Sequence, residues 1–366
     1  MKKTQVALAA LALVASTAVL ADGVTVYGAF DASIGHANNG KGTYFDGTGS
    51  WNPGNNLGFK GTEDLGGGMK IGFQLEAGVG LNNGSVVSGG NGSRTGSLFS
   101  RIATVGLSGD FGSLNVGQQL SPFIAANAAG TAGNASFFVN RMLMVGFGGA
   151  SVDASATTSS FPFDGFFIPN SFLYTSPSIG GWTVNAMTTA KAASKDGAIQ
   201  GPVASDQYST VSLGGAIGPI NVIGAYQQRK NVNSGYTLSA SMPLTSELSL
   251  AANYLNNDET ASSGSGISTG KKIGSTSIST AYKLSDALTA NLQYARNDDT
   301  GTAQQTLTSV GVSYALSKRT MTYASYGSGK GGVNAAFADR GNNNYAGGAI
   351  GTNSSTNFSV GVATSF

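Results

Sequence analysis

The 366-residue sequence contains no cysteine, a single histidine (His36) and only 10% charged residues. Without cysteine there are no disulfides and no thiolate metal ligands, so stability must come from hydrogen-bonded backbone and packing. The low charge content sets the chain apart from ordinary soluble domains, in which about a quarter of residues are charged. Beyond the first 22 residues there is no apolar run near the roughly 20 residues that a membrane-spanning helix needs. No linker divides the chain and no fixed-period repeat runs through it, which argues for one architecture and against a repeat-built solenoid or adhesin.

The first residues form a separate unit. Lys2 and Lys3 make a basic start, Val6 to Leu20 an apolar core, and Val19-Leu20-Ala21 a small-residue cleavage pattern. This is the grammar of an export signal over residues 1–21, with the mature chain, 22–366, starting at Asp22. Removing Lys2 and Lys3 from the 20 basic residues leaves 18 against 18 acidic ones. A neutral exported chain is a poor partner for nucleic acid.

What the chain does have is 55 glycines and a succession of short alternating segments. Strands are predicted at 23–36, 55–62, 69–80, 97–109, 112–119, 170–176, 181–190, 207–216, 219–229, 234–242, 247–256, 271–283, 287–297, 306–315, 320–328 and 356–366. The gaps between these sixteen segments are alternately short, with turn chemistry such as Gly109-Asp110 and Gly218-Pro219, and long. That double alternation predicts an all-β fold, a 16-stranded antiparallel transmembrane β-barrel with both termini on the short-turn side.

Side chains within the strands separate by parity. Leu288, Ala290, Leu292 and Tyr294 share one face and Thr289, Asn291 and Gln293 the other; in the first strand Val24, Val26, Phe30 and Ile34 oppose Thr25, Tyr27, Asp31 and Ser33. Sixteen strands enclose too wide a space for side chains to fill, so the polar face is expected inside, around water. Aromatics gather at the ends of the apolar face: Phe111, Trp182, Tyr282, Tyr314 and Phe366 by the short turns, Tyr254, Tyr294 and Tyr326 by the long gaps. These are two interfacial girdles.

The longest gap, Leu120 to Pro169, holds eight of the 18 phenylalanines. Connections of such length are functional or disordered, and a loop this aromatic needs a surface to lie on. It is expected to fold back into the lumen as the third long loop and narrow it.

Three segments carry a family likeness: Val24-Thr-Val-Tyr-Gly-Ala-Phe-Asp31, Gly58-Phe-Lys-Gly-Thr-Glu-Asp-Leu-Gly-Gly-Gly68, and Val105-Gly-Leu-Ser-Gly-Asp-Phe-Gly112. Together with Leu316-Ser-Lys-Arg-Thr320 and the terminal Phe366 they resemble the general porins of betaproteobacteria and neisseriae. The resemblance implies a homotrimeric outer-membrane channel for small hydrophilic solutes, a constriction lined by the third loop, and a C-terminal strand ending in Phe366 that the barrel-assembly machinery reads. It also exposes two departures. Positions at which such porins place wall arginines are Asn56 and Gln118 here, while the arginine preceding the fourth strand's core is kept as Arg101.

Candidate pore-lining residues follow. Lys60 shares parity with Thr62, and Glu76 with Gln74, each opposite apolar neighbours; a charge on the lipid face at mid-membrane costs about 2–4 kcal/mol, so both are expected to face the lumen with Asp31. Simple alternation puts Arg101 with Ala103 and Val105, so a bulge or a strand-end position is required if it is to meet water. Gln118 stands where the third loop begins, and Arg141, Asp153 and Asp164 are the charges within it.

Catalytic patterns fail. His36 has no partner pattern, Ser268-Thr-Gly-Lys271 lacks companion motifs, and Gly35 to Lys41 nearly writes a phosphate loop but continues with Gly42 and no helix. The sequence calls for no enzyme activity, no cofactor and no metal centre. Asp258-Glu259 and Asp298-Asp299, at outer strand ends, could hold divalent cations that bridge lipopolysaccharide, though solvated loop charge is the simpler reading. The alternative function is a substrate-specific channel with a binding track, for which the phenylalanines of the third loop offer a surface.

Overall fold

The computed structural model describes residues 22–38, 42–47, 51, 55–87, 98–132, 167–190, 207–229, 233–259, 272–299, 305–330 and 355–366. The export signal expected over residues 1–21 lies outside them, as does most of the expected third loop. The first half of the wall comprises β1 (Asp22–Ala37), β3 (Asn56–Gly66), β4 (Met69–Val79), β6 (Ile102–Gly109), β7 (Gly112–Leu120), β8 (Phe167–Thr175), β9 (Thr183–Thr189) and β10 (Tyr208–Ile217). It continues through β11 (Ile220–Arg229), β12 (Asn233–Pro243), β13 (Leu248–Glu259), β14 (Lys272–Lys283), β15 (Leu288–Asp299), β16 (Gln305–Ala315), β17 (Thr320–Lys330) and β18 (Ser355–Ser365). Each strand pairs antiparallel with the next, and β18 returns to β1 from Ala29↔Ser365 to Ala37↔Asn357, closing the sixteen-stranded barrel. Closure leaves the sheet without a first or last strand, which a sheet in lipid requires.

Two short strands were not foreseen. β2 (Gly42–Asp46) pairs with the upper half of β1, and β5 (Val86–Val87) with the upper end of β4. Both extend an edge that the neighbouring wall strand leaves open. The predicted turn at 63–68 is shorter than expected, because β3 continues to Gly66 and only Gly67 and Gly68 remain for the turn. The strand predicted from 97 starts at Ile102, and β8 starts at Phe167, within the expected loop.

Three short turns share one construction. Thr245, Ser285 and Ser317 each follow a leucine, and each side-chain oxygen accepts from two backbone N–H groups downstream: Glu247 and Leu248, Ala287 and Leu288, Arg319 and Thr320. The hydroxyl thus satisfies donors that the turn would otherwise leave unpaired, which is why Ser and Thr recur at this place.

The faces separate as the parity demands. Thr210, Ser212, Gln227, Thr237, Asn253, Ser277, Gln293, Ser309, Ser325 and Ser359 are buried, whereas Val211, Leu213, Leu238, Ile278, Leu292, Val310 and Val360 are exposed. This is a globular protein turned inside out, with the apolar face outward for lipid. Among the described residues no helix is long and apolar enough to cross a membrane.

The third loop opens with a helix that the sequence reading missed, α1 (Pro122–Ala128). Ser121 caps it by accepting from Phe123 N–H at 3.2 Å, and Pro122 occupies the first turn, where its missing N–H costs nothing. Phe123, Ile124 and Ala126 pack against Ala225 and Leu255. Ser239 Oγ donates to Ala126 O at 2.6 Å, Asn127 Nδ2 to Asn253 Oδ1 at 3.3 Å, and Ala132 N to Ser279 Oγ at 2.9 Å. The start of the loop is therefore fastened to the buried faces of β12, β13 and β14.

Candidate pore wall

Tyr27 on β1 is the hub of the wall at the level of the predicted charges. Its register partner on β3 is Gly58, and Gly58 in turn pairs with Glu76 on β4. A Cβ on Gly58 would lie 2.3 Å from the Tyr27 ring, so only glycine lets the ring lie flat across β3 and reach the second strand over. There Tyr27 OH donates to Glu76 Oε2 at 2.9 Å and accepts from Gln74 Nε2 at 2.7 Å. Lys60 Nζ stands 5.3 Å from the centroid of the same ring, an orientation favourable for a cation over a π face.

Glu76 has a second partner. Arg101 Nε donates to Glu76 Oε1, and both side chains are nearly enclosed. Arg101 precedes Ile102, the register partner of Glu76, and its own N–H donates to Glu76 O. The strand-end position required by the parity argument is thus what the fold supplies. Phe167 faces the guanidinium, with the ring centroid 4.8 Å away. Gln118 is buried and donates from Nε2 to Ser100 O (2.6 Å) and Arg101 O (3.2 Å), holding the backbone that presents Arg101. Where β7 meets β8 the register shifts between Gly117 and Gln119, and Asn170 adopts positive φ, the signature of a bulge.

Asp31 lies at a different station. It is fully buried: Oδ1 accepts from Tyr323 OH at 2.6 Å, Oδ2 from Trp51 N at 2.6 Å, and its own N–H donates to Asn55 Oδ1 at 2.6 Å. Tyr323 reaches it from β17 across Gly361 of β18, whose Cβ would come within 2.4 Å of the ring. The same device used at Gly58 here spans the closing seam between last and first strand. Asp31 binds β1 to β17 and to the segment around Trp51, so its charge is enclosed by donors and does not stand open to solvent.

The structure thus brings Lys60, Glu76, Arg101 and Gln118 to one stretch of wall and sets Asp31 apart. Arg141, Asp153 and Asp164 lie outside the described residues. The side chains of Glu259, Asp298 and Asp299 lie outside them as well, and no group of three or more acidic or histidine side chains is placed to hold a metal among those described. The sequence reading missed Tyr27, Tyr323 and Trp51. Their signal is a glycine directly opposite an aromatic, which becomes visible only when the register is known.

Similarity to known proteins agrees with this wall. The chain is 40% identical over 126 residues to outer membrane porin protein 32 of Delftia acidovorans, a third of each chain. It is 30% identical over 257 residues to an outer membrane porin protein of Bordetella pertussis, covering 64% of this chain and 61% of that one. These matches therefore span less than two thirds of either relative. The fold superposes on an anion-selective porin from Comamonas acidovorans with a TM-score of 0.72 at 22% identity, covering 94% of this chain and 99% of that chain. On the trimer form of OmpT from Vibrio cholerae the TM-score is 0.62 at 13% identity, with 94% and 99% covered. A profile described as Gram-negative porin matches residues 7–334, nearly the whole length, and the chain belongs to the Gram-negative porin family.

Proposed function

We propose that the protein is an outer-membrane porin, a water-filled channel for passive diffusion of small hydrophilic solutes and ions. The observation that carries this reading is the inversion of faces: in a closed barrel the enclosed face is rich in serine, threonine, asparagine and glutamine, and the outward face is rich in valine, leucine, isoleucine and tyrosine. Only water fits a polar enclosure of this width, and only lipid or another apolar surface fits the exterior.

The third loop supplies the size limit in this reading. Its described start runs along the buried wall from β11 to β14, and residues 133–166 are proposed to continue the narrowing. The assembly is proposed to be a homotrimer. Every exposed tyrosine of the described wall lies on β8 or on β11 to β17, whereas β18 and β1 to β7 present valine, isoleucine, leucine, methionine and phenylalanine. Tyrosine hydroxyls suit the headgroup level of lipid, and a sector without them suits a second copy of the chain. Export by the signal at residues 1–21, recognition of the strand ending in Phe366 by the barrel-assembly machinery, and lipopolysaccharide around the outer rim complete the proposal.

Proteoliposome swelling tests it. Vesicles carrying the folded protein should swell in isotonic sugars at rates that fall smoothly with solute size. Swelling no faster than protein-free vesicles would defeat the channel reading, and a rate that saturates with one sugar would favour a substrate-specific channel instead.

A further inference from the structure

The wall holds a second feature on the short-turn side of the Glu76–Arg101 pair, a concavity of about 400 Å³ in front of β1, β3, β4, β6 and β7. Gly72 in its lining has no side chain to fill it, and the side chain of Asn115 lies over Gly106. Around them stand the hydroxyls of Thr25, Thr62, Thr104, Ser108 and Ser113, and the one charged group in the lining is Lys60. Glu76, the nearest wall carboxylate by register, is taken up by Arg101 and Tyr27, and Lys60 enters no ion pair among the described residues. The Lys60 ammonium stands over one face of the Tyr27 ring, and the side chain is exposed to solvent.

One ammonium beside several neutral hydroxyls has a definite chemical complement. A metal ion or organic cation finds no carboxylate there, and a multiply charged anion finds only one counter-charge. A small carboxylate bearing hydroxyls satisfies both halves, its charge on Lys60 and its hydroxyls exchanging hydrogen bonds with the threonines and serines. We propose that this concavity is a docking subsite for small hydroxylated carboxylates at the short-turn mouth of the channel, a site that slows such solutes within the lumen. The proposal rests on the channel reading and adds to it a chemical preference.

The test is block of potassium chloride current through the full-length folded protein in a planar bilayer, with gluconate as probe and glucose as neutral control. The current should fall with gluconate along a saturating curve and be unaffected by glucose at the same concentrations. In Ser108→Ala/Ser113→Ala, which alters no charge, the half-saturating concentration should rise by roughly fivefold or more, one to two hydrogen bonds' worth, while the chloride-to-potassium reversal potential stays unchanged. Lys60→Gln should abolish saturation and Lys60→Arg should retain it. A block strictly proportional to gluconate, or a double serine variant with the parental half-saturation, would overturn the subsite while leaving the channel intact. Loss of all chloride current in the folded parent protein would instead overturn the channel reading itself.

Discussion

Neutralising Glu76 should convert a charge-balanced level of the wall into a cationic one. Arg101 and Glu76 offset one another, with side-chain exposures of only 12% and 7%. Glu76→Gln keeps the shape, and its one amide oxygen can still accept from Arg101 while its NH2 turns to the Tyr27 oxygen as a donor, so the guanidinium should stay in place with its charge uncompensated. An ion passing about 5 Å away then feels roughly 0.8 kcal/mol in water. Screening at 0.15 M, where the Debye length is about 8 Å, halves that value to about 0.4 kcal/mol. Anions gain about twofold in local concentration and cations lose about twofold, so the anion-to-cation permeability ratio should rise about fourfold. Reversal potentials across a potassium chloride gradient in planar bilayers read this directly. Glu76→Gln/Arg101→Met should return the ratio to the parental value. An unchanged reversal potential in the single variant, with the barrel folded, would refute the placement of this pair on the conducting path.

Further outcomes follow from the same wall. Lys60→Ala should shift the reversal potential toward cations and Gln118→Arg toward anions, and 1 M salt should shrink both shifts because the Debye length falls to about 3 Å. Gly361→Ala places a Cβ 2.4 Å from the Tyr323 ring, so Tyr323 must leave Asp31; overpacking of this kind costs about 1–3 kcal/mol and should lower the midpoint of the heat-induced mobility change on a gel, whereas Gly361→Ala/Tyr323→Ala should recover only the part due to the ring, because the Ala32 carbonyl still lies 2.7 Å from the added Cβ. Deleting residues 133–160 should raise single-channel conductance without loss of β-sheet circular dichroism, since a loop contributes no rung to the closed ladder. Unaltered conductance would place that loop outside the path.

The sixteen wall strands were legible because a two-sided strand writes its faces into alternate residues, and the contrast between lipid and water makes that writing strong. Leu292 and Tyr294 are exposed and Gln293 buried, as parity requires. What stayed hidden depends on register. Arg101 reads as lipid-facing by alternation, and only the pairing of Ile102 with Glu76 shows that it sits at the strand end with its carboxylate partner beside it. Tyr27 and Tyr323 read as ordinary polar-face residues until Gly58 and Gly361 are found opposite them. Asp31, grouped with Lys60 and Glu76 by parity, is drawn away by Trp51 and Tyr323, which no local pattern announces. The short α1 had a readable start in Ser121-Pro122, but seven residues carry too little periodicity to stand out in a fifty-residue loop. β2 and β5 are short extensions of strands already formed, so their sequences need no alternation of their own.

The central claim is that the enclosed polar face conducts. Purified protein, refolded and added to a planar bilayer in potassium chloride, should produce discrete conductance steps that are linear in voltage over a moderate range and grow with salt concentration. A homotrimer should close in thirds of the full step. Protein that is folded by circular dichroism and inserted in the membrane, yet yields no steps above the bare bilayer, would contradict the account.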